Sequence, residues 1–173
     1  MTASWPAPNQ LDVVWCYFPY GGEPAASLHP AIVLTTGKTD DDDTPTVIVV
    51  GGTSANKGGT WLRTPGPNDF LLQEAKALAR AGLQQPTLFQ FQPLQFDADG
   101  DMVSGTVLGL PYTEAFFLPI GPKSTPVIGK VDLNDALTKE KFGNAVKAAN
   151  LQAILTAEMT RFQAEPRKIP KPK

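Results

Sequence analysis

The sequence predicts a mostly β fold of short antiparallel strands, with a short middle helix and a C-terminal amphipathic helix. Three observations lead to this prediction. First, the 173 residues include 17 prolines and 15 glycines but only 18% charged residues, which favours short strands and many turns over long helices. Second, runs of β-branched and aromatic residues lie between these breakers. Third, apolar residues at helical spacing are confined to two segments.

The first three predicted strands are apolar runs at residues 12–18, 31–35 and 46–50. After its leading aspartate, the first run contains only β-branched residues, aromatic residues and cysteine, and it is too short for a stable helix. The second run follows Pro30, as the start of a strand allows. Four consecutive aspartates, residues 40–43, separate the second and third runs. Contiguous carboxylates cannot all turn towards one ion, so a solvated hairpin is favoured over a cation site.

A short helix is predicted in the middle of the chain, capped by Asn68 or Asp69 at its start and by Gly82 at its end. Its apolar face has helical spacing. The residues of this face are Leu71, Leu72, Ala75, Leu78 and Ala79. Residues 55–68 precede the helix, and their glycines and prolines predict a loop around Trp61.

A hairpin is predicted after the middle helix. Residues 87–96 alternate as a strand does, with Pro93 placing it at an edge or bending it. Residues 97–101 contain Asp-Gly, the strongest short turn signal, and residues 102–108 form the return strand. A calcium loop is the competing interpretation. It is disfavoured because its glycine comes too early and its twelfth position is Leu108, where a bidentate glutamate is needed.

Beyond the hairpin, the short apolar pieces of residues 110–131 are expected to include at least one more strand, and Asp132 or Asn134 to cap a turn. Residues 138–162 have the spacing of an amphipathic helix, with a break near Gly143. This helix either covers one face of the β domain or joins two subunits.

These elements divide the chain into a flexible lead-in (residues 1–10), a β domain (11–135), a packed C-terminal helix (136–163) and a basic disordered tail (164–173). No apolar segment is long enough to span a membrane, and the lead-in lacks the positive region of a signal peptide. The sequence therefore predicts no membrane partner and a cytoplasmic location.

Composition also limits the chemistry. The net charge of −2 means that any contact with RNA has to be local, because dedicated nucleic-acid binders carry a basic excess. The single cysteine, Cys16, excludes an internal disulfide and a multi-cysteine zinc site, and its apolar strand predicts a small buried hydrophobe. The spacings of a nucleophile elbow, a zinc protease and a phosphate loop are missing. No metal and no cofactor are predicted.

An ordered set of motifs occupies the first third of the chain. Its members are Asp12-Val13-Val14-Trp15, Phe18-Pro19, Gly21-Gly22-Glu23, His29-Pro30-Ala31-Ile32-Val33-Leu34 and Val49-Val50-Gly51-Gly52-Thr53-Ser54. The order and spacing over residues 11–54 resemble the opening of the MazF/PemK family of bacterial toxins, and residues 81–97 resemble it more weakly. The resemblance implies an SH3-like, MazF/PemK-like antiparallel barrel. It also implies a hydrolase of a type II toxin–antitoxin system, a metal-independent endoribonuclease that cleaves single-stranded RNA. An antitoxin protein and a second copy of the chain are the implied partners.

The implied catalytic residues are His29, Thr53, Glu23 and Arg63. Cleavage needs a base for the ribose 2′-hydroxyl, an acid for the leaving oxygen, and a cation or donors for the phosphorane. The family has Arg at the position of His29. A histidine can still serve there as acid or base, because an imidazole has a pKa near neutrality. On the later strand Gln95 occupies the position of a family Arg, and Arg63 is the substitute that the sequence offers.

The implied RNA contacts are Ser54, Trp61, Lys57 and Gln95. Trp61 is suited to stacking a base, although a tryptophan in a glycine-rich loop also packs on the body of a domain. Ser54 and the neighbouring Thr53 also close a strand, where hydroxyl groups commonly bond a turn.

Two other interpretations compete with this one. His29, the only histidine, is the only possible base for Cys16 if the first two strands are neighbours, but the place of Cys16 in the middle of an apolar strand predicts a buried and inert thiol. The interpretation that stays open is that the same barrel has lost its catalytic arginine. It then serves as a catalytically inactive protein-binding or assembly module, encoded by a phage or a mobile element.

Overall fold

The computed structural model describes residues 5–18, 27–38, 45–54, 56–57, 60–61, 65–99 and 102–164. Among them it contains eleven strands and three helices, so the predicted mostly β class is confirmed. The strands are β1 (Asp12–Phe18), β2 (Ser27–Lys38), β3 (Pro45–Ser54), β4 (Asn56–Lys57), β5 (Thr60–Trp61), β6 (Asp69–Leu72), β7 (Thr87–Gln90), β8 (Gln95–Phe96), β9 (Met102–Ser104), β10 (Val107–Pro111) and β11 (Val127–Lys130). The helices are α1 (Ala75–Ala81), α2 (Ala136–Ala149) and α3 (Leu151–Ala164).

Seven strands form one antiparallel sheet in the order β11-β1-β2-β3-β7-β6, with β10 also pairing with β3. Strands β4 and β5 form a separate pair, as do β8 and β9. Within the described ranges the pairings run as an open path from β11 to β6 and do not close into a barrel. The antiparallel sheet is therefore established, and the SH3-like barrel stays a prediction.

The sheet buries both of its faces. Val13, Ile32 and Val50 belong to one apolar cluster, and their chain neighbours belong to the other. Residues from all three helices cover the first face. Trp5, Tyr112 and Phe117 cover the second face. This burial explains why the first three strands have continuous apolar runs rather than a clean alternation.

The predicted start of the middle helix at Asn68 or Asp69 is wrong. Asp69–Leu72 is strand β6, which pairs with β7, and the helix begins at Ala75 with Glu74 as its N-cap residue. Three consecutive apolar residues of β6 are buried. A strand that is covered on both faces can bury consecutive residues, whereas a short helix buries only one face. The predicted cap at Gly82 is confirmed: its φ is 73°, and its N–H bonds the last carbonyls of α1.

Helix α1 lies directly on strand β11. A Cβ atom at Gly129 would stand 2.3 Å from the carbonyl carbon of Ala81, and one at Gly82 would stand 2.1 Å from the carbonyl oxygen of Ile128. No Cβ atom fits at such distances, so both positions need glycine. Arg80 of α1 also forms an ion pair with Asp132, just beyond β11.

The C-terminal helical segment is two helices, and its predicted break near Gly143 is wrong. Gly143 lies inside α2, and the break is at Asn150, whose φ is 53°. Asparagine tolerates this left-handed conformation, whereas a solvent-facing glycine can remain helical. Asp135 caps the start of α2, because its Oδ2 accepts the Thr138 N–H at 2.9 Å. The predicted turn cap at Asp132 is confirmed, since its Oδ1 accepts the Asn134 N–H.

The predicted hairpin around residues 97–101 is confirmed by the pairing of β8 with β9. Both of its strands are shorter than predicted. Residues 91–94, which include Pro93, separate β7 from β8. Gly105, with φ of 118°, separates β9 from β10. Strand β11 is the further strand expected within residues 110–131.

Three other predictions concern the parts around the sheet. Within the predicted lead-in, Trp5 is buried, with its ring centroid 5.4 Å from that of Tyr112. The four-aspartate segment (residues 40–43) and residues 165–173 of the predicted tail lie outside the described residues. In the described part of the chain, no helix is both long enough and apolar enough to cross a membrane.

The outer edge of strand β10 is closed. The Val107 N–H donates to the carbonyl of Gln92, and Pro111 has no N–H to offer. Between them, the Gly109 N–H donates to Oε2 of Glu158, a carboxylate of α3 that is only 4% exposed. Glu158 thus takes the place of a neighbouring strand and ties α3 to the sheet. Open strand edges invite pairing with another chain, and these contacts prevent it.

We expect Glu158→Ala to lower the free energy of unfolding by about 1–3 kcal/mol, because the buried Gly109 N–H loses its carboxylate acceptor. Glu158→Gln keeps an oxygen acceptor at this position and is the matched control, with a smaller loss. Urea unfolding followed by circular dichroism measures both, and hydrogen exchange at the Gly109 amide reports the local effect. Equal stability of the Ala variant and the wild type would contradict this role of Glu158.

A pair of glycine variants tests the contact between α1 and β11. Gly129→Ala should destabilise the fold by about 1–3 kcal/mol, because the added methyl group meets backbone atoms that cannot move aside. Gly143→Ala should stabilise it by about 0.5–1 kcal/mol, since nothing lies within 4 Å of the new methyl group and alanine favours the helix. Thermal unfolding of the two variants checks the opposite signs. A tolerated Gly129→Ala would show that the two elements are not in backbone contact.

Candidate functional site

Strand β2 carries His29 near its N-terminal end. The residue lies directly opposite Cys16 of β1 and is partly exposed. Its neighbour Pro30 lies opposite Trp15. Residues directly opposite each other share a face of the sheet, so His29 is on the face that also carries Cys16.

Thr53 lies at the corresponding end of β3. The ladder between β2 and β3 pairs Ile32 with Val50 and Ala31 with Gly51. The pairing ends there, so His29 and Thr53 each lie two residues outside the paired part of their strands. Thr53 is also partly exposed. Two of the predicted catalytic residues therefore lie near the same end of two neighbouring strands, and the alternation of side chains along each strand gives both residues the orientation of the last paired residues.

Thr53 and Ser54 do not act on the same face. They are consecutive residues of β3, so their side chains point to opposite sides of the sheet. Thr53 pairs with Leu88, and Ser54 pairs with Thr87. A phosphate group that accepts a hydrogen bond from Thr53 is therefore on the other side of the sheet from Ser54, and the predicted RNA contact of Ser54 belongs to a different surface.

The structure adds an apolar wall beside Thr53 that sequence reasoning missed. Leu88 lies opposite Thr53 and is 1% exposed, and it packs with Leu71 of β6 in a small cluster of its own. The sequence signal was the alternation of residues 87–96, which does place Leu88 in a strand. Leu71 was missed because its spacing was interpreted as helical.

Gln95, the residue at the family's arginine position, lies on the separate β8–β9 hairpin. Its side-chain oxygen accepts a hydrogen bond from the Ser104 hydroxyl at 3.0 Å. No strand pairing among the described residues joins this hairpin to β2 or β3. The sheet pairings thus place His29 and Thr53 on neighbouring strands, and Gln95 on neither of them.

The remaining predicted residues follow or precede these strands. Lys57 and Trp61 belong to the small β4–β5 hairpin, which begins two residues after Ser54. Only the backbone of this hairpin is described. Glu23 and Arg63 lie outside the described residues, and their catalytic roles stay predictions.

The other arginine before the C-terminal helices is already paired. Arg80 forms its ion pair with Asp132, a residue that is 8% exposed and also bonds the turn at Asn134. The guanidinium of Arg80 thus has a structural partner just beyond β11 and is not a source of charge for the end of β2. In the part of the chain that the structure describes, no cluster of three or more His, Cys, Asp or Glu residues could hold a metal ion.

The Cys16–His29 pair exists as a cross-strand pair but is not suited to nucleophilic catalysis. Cys16 is 0% exposed, and burial raises the pKa of its thiol far above the usual value. The thiolate is the reactive form, and an apolar site disfavours it. Cys16 packs with Val14, Phe18 and Ala31 in the second core cluster, which confirms the prediction of a small buried hydrophobe.

Asp12 opens the motif that resembles the toxin family, but it lies at the far end of β1 from Cys16. Its Oδ2 accepts the Asn9 N–H at 2.8 Å, and it faces Lys130 across the β1–β11 ladder. Partial burial raises the pKa of Asp12, against the opposing effects of the Asn9 bond and of Lys130. This carboxylate organises the turn that enters β1 and is not part of the His29–Thr53 pair.

No model of a known protein family and no curated protein matches the chain.

We expect Cys16 to resist alkylation by iodoacetamide in the folded protein at neutral pH, because its thiol is inaccessible and its ionised form is disfavoured. Addition of urea past the unfolding transition should make the same thiol react fully, which serves as the internal control. Mass spectrometry counts the added groups. Rapid alkylation of the folded protein would contradict this expectation and would support the interpretation of Cys16 as a nucleophile.

Proposed function

We propose that this chain is a MazF/PemK-like toxin of a toxin–antitoxin system, a metal-independent endoribonuclease that cleaves single-stranded RNA. The observation that supports the proposal is that His29 and Thr53 are both partly exposed and lie near the same end of the neighbouring strands β2 and β3. These are the strand positions that the motif resemblance assigns to catalysis. The proposal includes the SH3-like barrel, a cytoplasmic location, a homodimer and neutralisation by an antitoxin protein.

In the proposed reaction His29 accepts the proton of a ribose 2′-hydroxyl. The 2′-oxygen then attacks the adjacent phosphorus, and the bond to the 5′-oxygen of the next nucleotide breaks. The products are a 2′,3′-cyclic phosphate and a 5′-hydroxyl, the latter protonated by an acid for which Glu23 is the candidate. General acid–base catalysis of this kind contributes about 10²- to 10⁴-fold in rate.

Thr53 is proposed to donate its hydroxyl hydrogen to a phosphate oxygen while negative charge builds up on the phosphorane. Donors aimed at such charge are the usual means of stabilising it. Arg63 is proposed to supply the positive charge that the family takes from a later-strand arginine. Lys57 and Trp61 extend the RNA path along the β4–β5 hairpin, with Trp61 stacking a base.

A second candidate function is a catalytically inactive module of the same fold, which binds a protein or takes part in an assembly. The observation in its favour is Gln95. A neutral side chain held by Ser104 occupies the position where the resemblance expects a catalytic arginine. In this interpretation His29 and Thr53 are ordinary residues of a strand end, and no RNA is cleaved.

The test is cleavage of a mixed-sequence single-stranded RNA by the purified protein in EDTA. The wild type should cleave, and His29→Ala should lose about 10²-fold or more of the rate because the proton acceptor is removed. Products should end in a 2′,3′-cyclic phosphate. No cleavage by the wild type at high protein concentration would overturn the enzyme and favour the module. Equal cleavage by the wild type and the variant would show that His29 takes no part in the reaction.

A matched pair of threonine variants tests the role proposed for Thr53. Thr53→Val should reduce cleavage by about 10²-fold, because one donor to the phosphorane is lost. Thr36→Val is the control, since Thr36 is an exposed residue towards the other end of β2 and should leave the rate unchanged. Circular dichroism verifies that both variants are folded. Equal rates for the two variants would contradict the role proposed for Thr53.

A further inference from the structure

We draw no further inference here: the strongest candidate, the uncharged apolar face that Trp15, Tyr17, Leu28 and Pro30 form on strands β1 and β2, is an unpartnered surface, and nothing in the described part of the chain shows what covers it.

Discussion

The placement of strand β3 inside the sheet is the constraint on which the rest of the structure depends. It pairs with β2, β10 and β7 along its length, and the residues from Val47 to Gly52 are all buried. A Cβ atom at Gly52 would stand 2.6 Å from the ring of Phe89, so even the last buried position has no room for a side chain. Polar side chains are excluded from such a strand because their groups would lose water without gaining partners. The polar residues of β3 are therefore confined to its two ends, at Thr46 and at Thr53 and Ser54.

The helices and loops complete this arrangement by pairing or covering backbone groups that no neighbouring strand reaches. At strand β10 the carboxylate of Glu158 takes the place of a neighbouring strand. At β11 the end of α1 comes so close that positions 82 and 129 have room only for glycine. These contacts satisfy hydrogen bonds and exclude water, but they also occupy the faces and edges of the sheet. His29 and Thr53 are among the partly exposed polar side chains that the sheet still presents.

Sequence reasoning found the elements whose signals are local, and failed where tertiary contacts decide. The apolar runs of β1, β2 and β3, the cap at Gly82 and the Asp-Gly hairpin follow from propensity and turn chemistry. The segment around Leu71 became a strand because β7 is available to pair with it, and its spacing alone does not reveal this partner. For the candidate site, the motif order predicted His29 and Thr53 separately. The residues that each of them faces depend on strand register, which a sequence motif does not contain.

The balance of charge at this strand end separates the enzyme from the binding module. Cleavage of RNA builds negative charge on the phosphorane, and this charge has to be met by cations or aligned donors. The strand partner of His29 is Cys16 and that of Thr53 is Leu88, and both partners are neutral. Arg80 is engaged in its ion pair with Asp132. The positive charge must then come from protonated His29 itself and from Arg63, because Gly51 and Gly52 are buried in β3 and the Gly51 N–H already donates to the carbonyl of Thr106. An inactive module needs none of these groups. In the proposed reaction the guanidinium of Arg63 therefore has to reach the strand ends that carry His29 and Thr53.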